Sequence, residues 1–405
     1  MAKHITWAPF ISRTGGFPIG AHQAIGHQAE FGLTYSEFID YDEEFTHYYT
    51  SKYPEYKHYY LDKESAPKVK LDLIVCTPPC AGLSSLTPIL TGKESYRGTN
   101  ATKNEWMLRC IEYAMENHDP EVFVLESTFN LYKKRGTGMR SRLNSLAKNY
   151  NRSVSYVHTN ASLHGLPHNR PRCYVYLWKS ETAPLVSYYD EPKPSTVQEY
   201  LDQIPKDSKF YDETFNIFSL KEESITYGMI DFMKHKYGDN YRQVIQDSPY
   251  DRLLKYADKN NMLKEVYEYT QNKRLKRKLG LIFENKAQGR GYWDSSLVIN
   301  NDDLVKNLVT KSIRYILHPT EERLLTIREC YHLMGFPHDF NQQRLDQDRW
   351  KAVTRTTPVN TSRDIVKEAV KFIRGELEMS DQQIVHQNMV TRAIDKPDIV
   401  LPTLF

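Results

Sequence analysis

The residue with the clearest chemical potential is Cys80, a thiol that follows the stiff stretch Thr77-Pro78-Pro79. The apolar run 71–76 directly before this stretch is typical of a buried strand. We therefore expect Cys80 in a loop at the carboxyl edge of a sheet, where open α/β folds place their ligand crevice. A lone cysteine is more often a small buried apolar residue than a nucleophile, so a chemical role needs further groups near it.

A carboxyl group and two guanidinium groups adjoin two further apolar runs. Glu126 ends the run 122–125, and Arg170 and Arg172 stand just before the run 173–178. A carboxyl group beside a nucleophilic thiolate can hold and protonate a ring nitrogen during attack, and arginines can hold an acceptor or a phosphate. Each group alone can equally be a solvated side chain, but in combination they indicate covalent chemistry on a ring.

Positioning these side chains requires a sheet, and the sequence predicts one up to about residue 180. Short apolar runs alternate there with amphipathic stretches, which predicts a parallel sheet with crossover helices, one of them over 105–117.

From about 181 to 310 the composition shifts toward Lys, Asp, Asn and Tyr, which indicates a separate domain. Regular patterns then return. Thr326 and Glu329 predict a capping box at the start of one helix, and a last helix is expected over about 362–376.

The composition excludes several classes of protein. With 405 residues, 40% hydrophobic and 26% charged, the chain is typical of a globular protein of two or three domains. The net charge of +3 gives no global basic field, so it neither supports nor excludes nucleic acid. Five cysteines without paired spacing argue against a disulfide framework and a structural zinc site, so we expect no metal and a cytoplasmic location. The absence of a long apolar run argues against membrane insertion.

Taken together and in this order, the motifs resemble those of the DNA cytosine C5-methyltransferase family, and the resemblance is that of a divergent member. The resemblance rests on Pro79-Cys80, Glu126, Arg170-x-Arg172 and the long segment 318–340, which includes Arg323-Leu324-Leu325-Thr326 and Gly335-Phe336-Pro337. It covers roughly residues 8–180 and 311–375. It implies an α/β fold, a Rossmann-like doubly wound sheet of the class I methyltransferase type with a second, smaller target-recognition domain. Residues 1–180 would be the catalytic and cofactor-binding domain, 181–310 the target-recognition domain, and 311–405 a C-terminal segment that completes the catalytic domain.

The resemblance also implies an activity. A methyl group would pass from S-adenosylmethionine to a flipped-out cytosine through a covalent adduct between Cys80 and C6 of the base. Glu126 would engage the N3 edge of the cytosine, and Arg170 and Arg172 would steady the base. The expected partner is double-stranded DNA, and the expected setting is a monomer in the cytoplasm of a bacterial or phage-infected cell.

The cofactor side departs from the family pattern. The glycine-rich turn is Ile11-Ser12-Arg13-Thr14-Gly15-Gly16, with Arg13 where a glycine is usual, and Thr354-Arg355 replaces a Gly-Asn pair near the other end of the chain. Two added arginines leave open a cofactor with an extra anionic group, or a transferred group other than methyl; the alternative is divergence, with both arginines solvated. The candidate cofactor-binding residues are Arg13, Gly15, Gly16, Phe17, Glu37, Asp40, Asp62, Thr77, Pro78 and Arg355.

A basic run in the middle region is the candidate DNA contact, although charge runs are usually solvated helix faces. Basic side chains of this kind can neutralise phosphates, and aromatic residues between glycines can reach a groove. The candidates are Lys273, Arg274, Lys276, Arg277, Lys278, Arg290 and Tyr292. Two rival functions remain open: a transfer RNA cytosine C5-methyltransferase, and an inactive DNA-binding relative. Retention of Cys80, Glu126 and Arg172 speaks against the inactive relative, because a binding protein does not need a nucleophile.

Overall fold

The computed structural model of the protein describes residues 3–83, 104–205, 222–250, 252–292, 294, 297–299, 304–305, 308, 316–340 and 349–395. Within these residues, nine strands form one sheet and two form a separate ribbon. The strands are β1 (Trp7–Phe10), β2 (Gly32–Thr34), β3 (His58–Tyr60), β4 (Leu73–Cys76), β5 (Val122–Thr128), β6 (Ser153–Asn160), β7 (Pro171–Trp178), β8 (Leu297–Val298), β9 (Ile316–Leu317), β10 (Ile384–Asn388) and β11 (Ala393–Asp395). The helices are α1 (Gly16–Ile25), α2 (Ile39–Lys52), α3 (Glu105–Asn117), α4 (Thr137–Asn149), α5 (Val197–Leu201), α6 (Ile225–Tyr237), α7 (Tyr241–Gln246), α8 (Leu253–Lys259), α9 (Leu263–Tyr269), α10 (Lys273–Ala287), α11 (Ile327–Leu333), α12 (Arg349–Arg355) and α13 (Val359–Ile373).

The large sheet has the strand order β11-β10-β6-β7-β5-β4-β1-β2-β3. Strand β1 pairs in parallel with both β2 and β4, so the chain moves outward from β1 in one direction and returns to build the other half from β4. Such a change of direction leaves a crevice at the carboxyl ends of β1 and β4, where doubly wound sheets bind ligands. The doubly wound α/β sheet expected from the sequence is confirmed.

Strands β7 and β11 run antiparallel to the other strands of the large sheet, and β7 lies in the part expected to be parallel. Strand β7 pairs antiparallel with both β5 and β6. The segment 161–170 between β6 and β7 is shorter than a crossover helix requires, so the two strands form a hairpin-like pair. The expectation of a wholly parallel sheet was therefore wrong at β7.

Both faces of the sheet are covered. In β4 the side chains of Leu73 and Val75 join the core that includes α1 and α13, whereas Ile74 and Cys76 join the core that includes α3 and α4. This alternation follows from the pleat of a strand. Because both faces of β4 are buried, none of its four residues is polar.

Helix termini confirm most of the sequence patterns. Helix α3 spans the expected residues, and α11 begins at the expected capping box, in which Thr326 and Glu329 each accept a hydrogen bond from the other's backbone N–H. Helix α13 begins and ends about three residues earlier than expected. The chain is extended at Pro358, and Gly375 is left-handed (φ 73°), which ends the helix before Glu376.

The last described segment, 359–395, belongs to the same sheet. Helix α13 packs against α1 so closely that a Cβ on Gly20 would lie 2.6 Å from the backbone N of Arg363. Strand β10 pairs in parallel with β6. Across the described part of the chain, no helix is long and apolar enough to cross a membrane. The same residues contain no cluster of His, Cys, Asp and Glu that could hold a metal ion.

Candidate active site

The loop that carries Cys80 is attached to β1 by a backbone hydrogen bond and contains two prolines. The backbone N–H of Thr77 donates to the Phe10 carbonyl at 3.2 Å, and the N–H of Leu83 donates to the Cys80 carbonyl at 3.1 Å. Pro78 and Pro79 are buried, and their rings fix the φ angles between these two bonds. Cys80 itself is half-buried at the carboxyl edge of the sheet, as expected.

The predicted acid and one predicted arginine form an ion pair. Nε of Arg172 lies 2.6 Å from Oε1 of Glu126, and the two side chains are 13% and 6% exposed. Glu126 is opposite Tyr174 in the ladder between β5 and β7, and Arg172 is opposite Thr128. Opposed residues share a face of the sheet, so Glu126 and Arg172 are diagonal neighbours on one face. The pairing of the strands therefore brings them together.

The charge environment of Cys80 has opposing parts. Burial and the negative charge of Glu126 raise the pKa of the thiol, whereas the positive charges of Arg13 and Arg172 and a hydrogen bond from the Thr128 backbone N–H act in the lowering direction. The net direction is upward, so the thiol is the resting form. Its thiolate, the nucleophilic form, needs the cations and the backbone donor for stabilisation.

Arg170 was expected from the sequence to contact the base, but its side chain binds the protein backbone instead. Its buried guanidinium donates to the carbonyls of Leu308 at 3.2 Å and of Thr354 and Thr356 at 2.8 Å each. Nearby, Nε2 of His168 accepts from the N–H of Leu308 at 3.2 Å, and burial lowers the pKa of His168, which keeps the ring neutral. Arg170 therefore holds the segment 354–356 against the entry to β7, two residues away from the ion-paired Arg172.

The turn after β1 has an unusual backbone. Ile11 and Arg13 both have φ near 52°, in the left-handed region, which costs a non-glycine residue roughly 1–2 kcal/mol. The carboxylate of Asp42, which is 1% exposed, accepts hydrogen bonds from the N–H of Arg13 at 2.7 Å and of Ser12 at 3.2 Å. Nε of Arg13 donates to the Thr77 carbonyl at 2.9 Å. The Arg13 side chain thus crosses from the β1 turn to the loop that carries Cys80.

The two retained glycines are required by close packing. Gly15 has φ 101°, and a Cβ on Gly16 would lie 2.0 Å from the Thr357 carbonyl oxygen. The N–H of Gly16 donates to Oγ1 of Thr356 at 2.9 Å. The following Phe17 is buried, with its ring 5.5 Å from that of Tyr174. Arg355 is exposed at the end of α12, between the two threonines whose carbonyls bind Arg170.

The acids expected to contact a nucleoside lie at the ends of β2 and β3. Glu37 and Asp62 are both exposed, and the carboxylate of Asp62 accepts from the N–H of Ser36 at 2.8 Å. That bond lowers the pKa of Asp62. The side chain of Asp40 lies outside the described residues.

These groups fit the nucleoside part of S-adenosylmethionine better than the part nearest Cys80. Exposed carboxylates such as Glu37 suit the ribose hydroxyls and the adenine amine of a nucleoside. At the β1 turn, in contrast, the N–H groups of Ser12, Arg13 and Gly16 already donate to Asp42 and Thr356. A ligand in the crevice would therefore meet the positive charge of Arg13 at the end nearest Cys80.

The basic run of the middle region lies on α10. Leu275, Leu279 and Ile282 form its buried face. Lys273, Arg274 and Arg277 are exposed, and Lys276 and Lys278 are half-buried. Arg290 is exposed, but the hydroxyl of Tyr292 donates to Asp258 at 2.9 Å, so its ring faces the domain.

The sequence reasoning missed Asp42 and Thr356. Both bind backbone N–H groups of the β1 turn, from positions 29 and 340 residues away from their partners. An acid near residue 40 was expected to bind a ligand, and no local pattern distinguishes such an acid from one that binds the chain itself.

Comparisons with known proteins agree with this architecture. The model of the C-5 cytosine-specific DNA methylase family matches residues 8–371. A comparison with curated proteins gave no match. Among solved structures, one described as a DNA modification methyltransferase encoded within an E. coli prophage is similar with a TM-score of 0.55 at 15% identity, over 92% of this chain and 100% of that one. The Entamoeba histolytica methyltransferase EhMeth is similar with a TM-score of 0.56 at 10% identity, over 91% of this chain and 98% of that one.

Identities this low show the fold alone, whereas the family match spans most of the sequence, including Cys80, Glu126 and Arg172. The chain belongs to the C-5 cytosine-specific DNA methylase family.

Proposed function

We propose that the protein transfers a methyl group from S-adenosylmethionine to C5 of a flipped-out cytosine in double-stranded DNA, with Cys80 as the nucleophile. The observation that carries the proposal is the half-buried Cys80 thiol beside the ion pair of Glu126 and Arg172, at the ends of strands β4, β5 and β7. An inactive DNA-binding relative would not need this combination.

The chemistry follows from these groups. Cys80 loses its proton to solvent, and its thiolate adds to C6 of the cytosine, which makes C5 nucleophilic. Glu126 takes up a proton from solvent and passes it to N3 as the thiolate adds, and it receives the proton back when the adduct breaks down. Arg172 orients the Glu126 carboxylate through their ion pair. When bound, S-adenosylmethionine supplies the electrophilic methyl carbon. Loss of the C5 proton to water and expulsion of the Cys80 thiolate then restore the enzyme and the aromatic ring.

In this proposal residues 181–310 form the target-recognition domain, and α10 contacts DNA phosphates. The exposed cations Lys273, Arg274 and Arg277 support that contact, because they can neutralise phosphates without breaking the buried face of α10. Tyr292 is less suited to reach a groove, since its hydroxyl is bonded to Asp258. The cofactor would be held by Glu37, Asp62 and the turn 13–17.

Nucleoside mass spectrometry tests the proposal directly. Duplex DNA and transfer RNA are incubated separately with the protein and S-adenosylmethionine carrying a deuterated methyl group, with Cys80→Ser as the control. Labelled 5-methylcytosine in DNA that depends on Cys80 supports the proposal. Label in transfer RNA alone would identify an RNA enzyme, and label produced by the Cys80→Ser variant would exclude Cys80 as the nucleophile.

A second candidate concerns the transferred group and is favoured by Arg13. Its side chain crosses the crevice at the β1 turn and bonds to the Thr77 carbonyl at 2.9 Å. A sulfonium near a guanidinium is a like-charge pair, whereas a cofactor with an additional anionic group would be attracted. The candidate is therefore a C5-cytosine enzyme that uses an anionic relative of S-adenosylmethionine and transfers a group other than methyl.

Calorimetric titration separates the two candidates. If Arg13 and Arg355 repel the sulfonium, changing Arg13→Gly with Arg355→Asn should strengthen S-adenosylmethionine binding by ~1 kcal/mol or more. Binding of S-adenosylhomocysteine, which lacks the sulfonium charge, should change little and is the matched control. Tight binding of S-adenosylmethionine by the unaltered protein would reject the anionic cofactor.

A further inference from the structure

The β1 turn is held in its left-handed conformation by a buried carboxylate. The backbone N–H groups of Ser12 and Arg13 converge on Asp42, at 3.2 and 2.7 Å. Adjacent N–H groups that point to one centre form an anion-binding concavity, and here the anion is a side chain of the protein itself. The carboxylate compensates for a backbone that Ile11 and Arg13, both near φ 52°, would otherwise avoid.

Asp42 is itself fixed by its surroundings. Its Oδ2 lies 3.6 Å from Nε2 of His58, and both side chains are at most 2% exposed. Nδ1 of His58 lies 3.3 Å from Oγ1 of Thr46 and 3.3 Å from the hydroxyl of Tyr56. The carboxylate is therefore enclosed between the β1 turn and the His58 ring, and these contacts favour one arrangement of the turn.

That arrangement directs the Arg13 side chain toward the loop of the nucleophile. Nε of Arg13 donates to the carbonyl of Thr77, a residue 3% exposed and three positions before Cys80. Among the described residues, the charged groups that act on the Cys80 thiol are Arg13 from the β1 turn, Glu126 from β5, Arg172 from β7, and Arg170 from the loop before β7. Arg172 is paired with Glu126 at 2.6 Å, and Arg170 binds three carbonyls.

We propose that Arg13 supplies positive charge that stabilises the Cys80 thiolate, and that Asp42 is a positioning residue that places Arg13 by binding the turn. The proposal rests on Cys80 being the nucleophile. In this proposal Arg13 has a function at a position where the family has glycine. The hydrogen bonds to Asp42 stabilise the left-handed backbone of the turn. Asp42 acts on Cys80 only through the turn.

The reactivity of Cys80 tests this without DNA or cofactor. Alkylation by iodoacetamide is followed at several pH values, with peptide mass spectrometry to separate Cys80 from the four buried cysteines. In Arg13→Gln the midpoint of reactivity should rise by about half to one pH unit, and the rate at pH 7 should fall roughly three- to tenfold. Arg13→Lys should retain most of the reactivity. Arg374→Gln, which removes an exposed charge at the end of α13, is the control.

Asp42→Asn should shift the midpoint in the same direction as Arg13→Gln. In the double variant the two shifts should not add, because both changes act through one side chain. An unchanged midpoint in a folded Arg13→Gln protein would overturn the proposal, and fully additive shifts would overturn the role of Asp42. Neither result bears on whether Cys80 forms an adduct with DNA, which is tested separately.

Discussion

Oε1 of Glu126 and Nε of Arg172 lie 2.6 Å apart, although the residues are 46 positions apart on antiparallel strands. The pair has two consequences for Cys80. Arg172 lowers the cost of keeping a charged carboxylate in a largely buried place, and the carboxylate in turn raises the pKa of the thiol. Binding of the base by Glu126 and the nucleophilicity of Cys80 are thus coupled at this site, and single substitutions should separate the two.

Covalent trapping is the first test of Cys80. In the presence of S-adenosylmethionine, duplex DNA with 5-fluorocytosine at the target position should form a stable adduct, because after transfer to C5 the fluorine cannot be lost as a proton is. The adduct is detected by denaturing electrophoresis and located by peptide mass spectrometry. Cys110→Ser, which removes a buried thiol, is the control and should still form the adduct. An adduct that persists in Cys80→Ser would remove Cys80 as the nucleophile.

Changing Glu126→Gln should move two measurements in opposite directions. Turnover should fall by roughly 10²- to 10⁴-fold, since an amide cannot take up a proton and pass it to N3, while DNA binding persists. Alkylation of Cys80 should become faster, because the charge that raises the pKa of the thiol is gone. Glu121→Gln, at the start of the same strand, is the matched control. Slower alkylation together with lost turnover would indicate a collapsed site instead.

Neutralising the basic run of α10 should weaken DNA binding. The variant changes Lys273, Arg274, Lys276, Arg277 and Lys278 to glutamine. The slope of log affinity against log salt concentration should become shallower by about 0.9 for each phosphate that the variant no longer neutralises. Fluorescence anisotropy at several salt concentrations measures the slope. Changing the exposed Lys259 and Lys264 on α8 and α9 provides the control. An identical slope in both variants would assign the α10 run to a solvated face.

The attachment of α13 should depend on pH. Asp364 is fully buried, 2.9 Å from Nδ1 of His164 and 2.8 Å from Nε of Arg363. Burial alone would raise its pKa, but His164, Arg363 and Lys367 hold the pKa below the ordinary value. The stabilisation is therefore present above the unfolded pKa of about 3.9 and is lost as the pH falls toward the lower folded pKa.

Asp364→Asn should accordingly reduce the free energy of unfolding by about 3 kcal/mol at neutral pH, with a smaller difference below pH ~4. Urea denaturation at several pH values measures it. Asp190→Asn, which breaks an exposed pair with Arg392, is the control and should change stability by less than ~1 kcal/mol. A pH-independent difference would mean that packing, not charge, accounts for the loss.

The sequence predicts the parts of this site that lie at strand ends. Cys80 and Glu126 follow from apolar runs and their flanking residues, because the carboxyl ends of neighbouring parallel strands meet at one edge. Arg172 is at the amino end of its strand and reaches the same edge because β7 runs antiparallel to β5. Arg170 shows where this reasoning stops. It stands two residues from Arg172 but binds the carbonyls of Thr354 and Thr356, which belong to a segment about 180 residues away. The direction of β7 differs from the expectation because the sequence pattern predicts no strand at β6, and the segment 161–170 that joins β6 to β7 is too short for a crossover.

The pairing of β10 with β6 also governs how the chain can fold. His158 and Asn388, whose side chains meet at 3.2 Å, are 230 positions apart. Contacts of such long range raise the contact order and slow folding, because a long loop must close before they form. During synthesis, β6 would have an unpaired edge until residue 388 emerges from the ribosome. A strand edge exposed for that time is open to pairing with other chains, so we expect this protein to aggregate more readily while nascent than once folded.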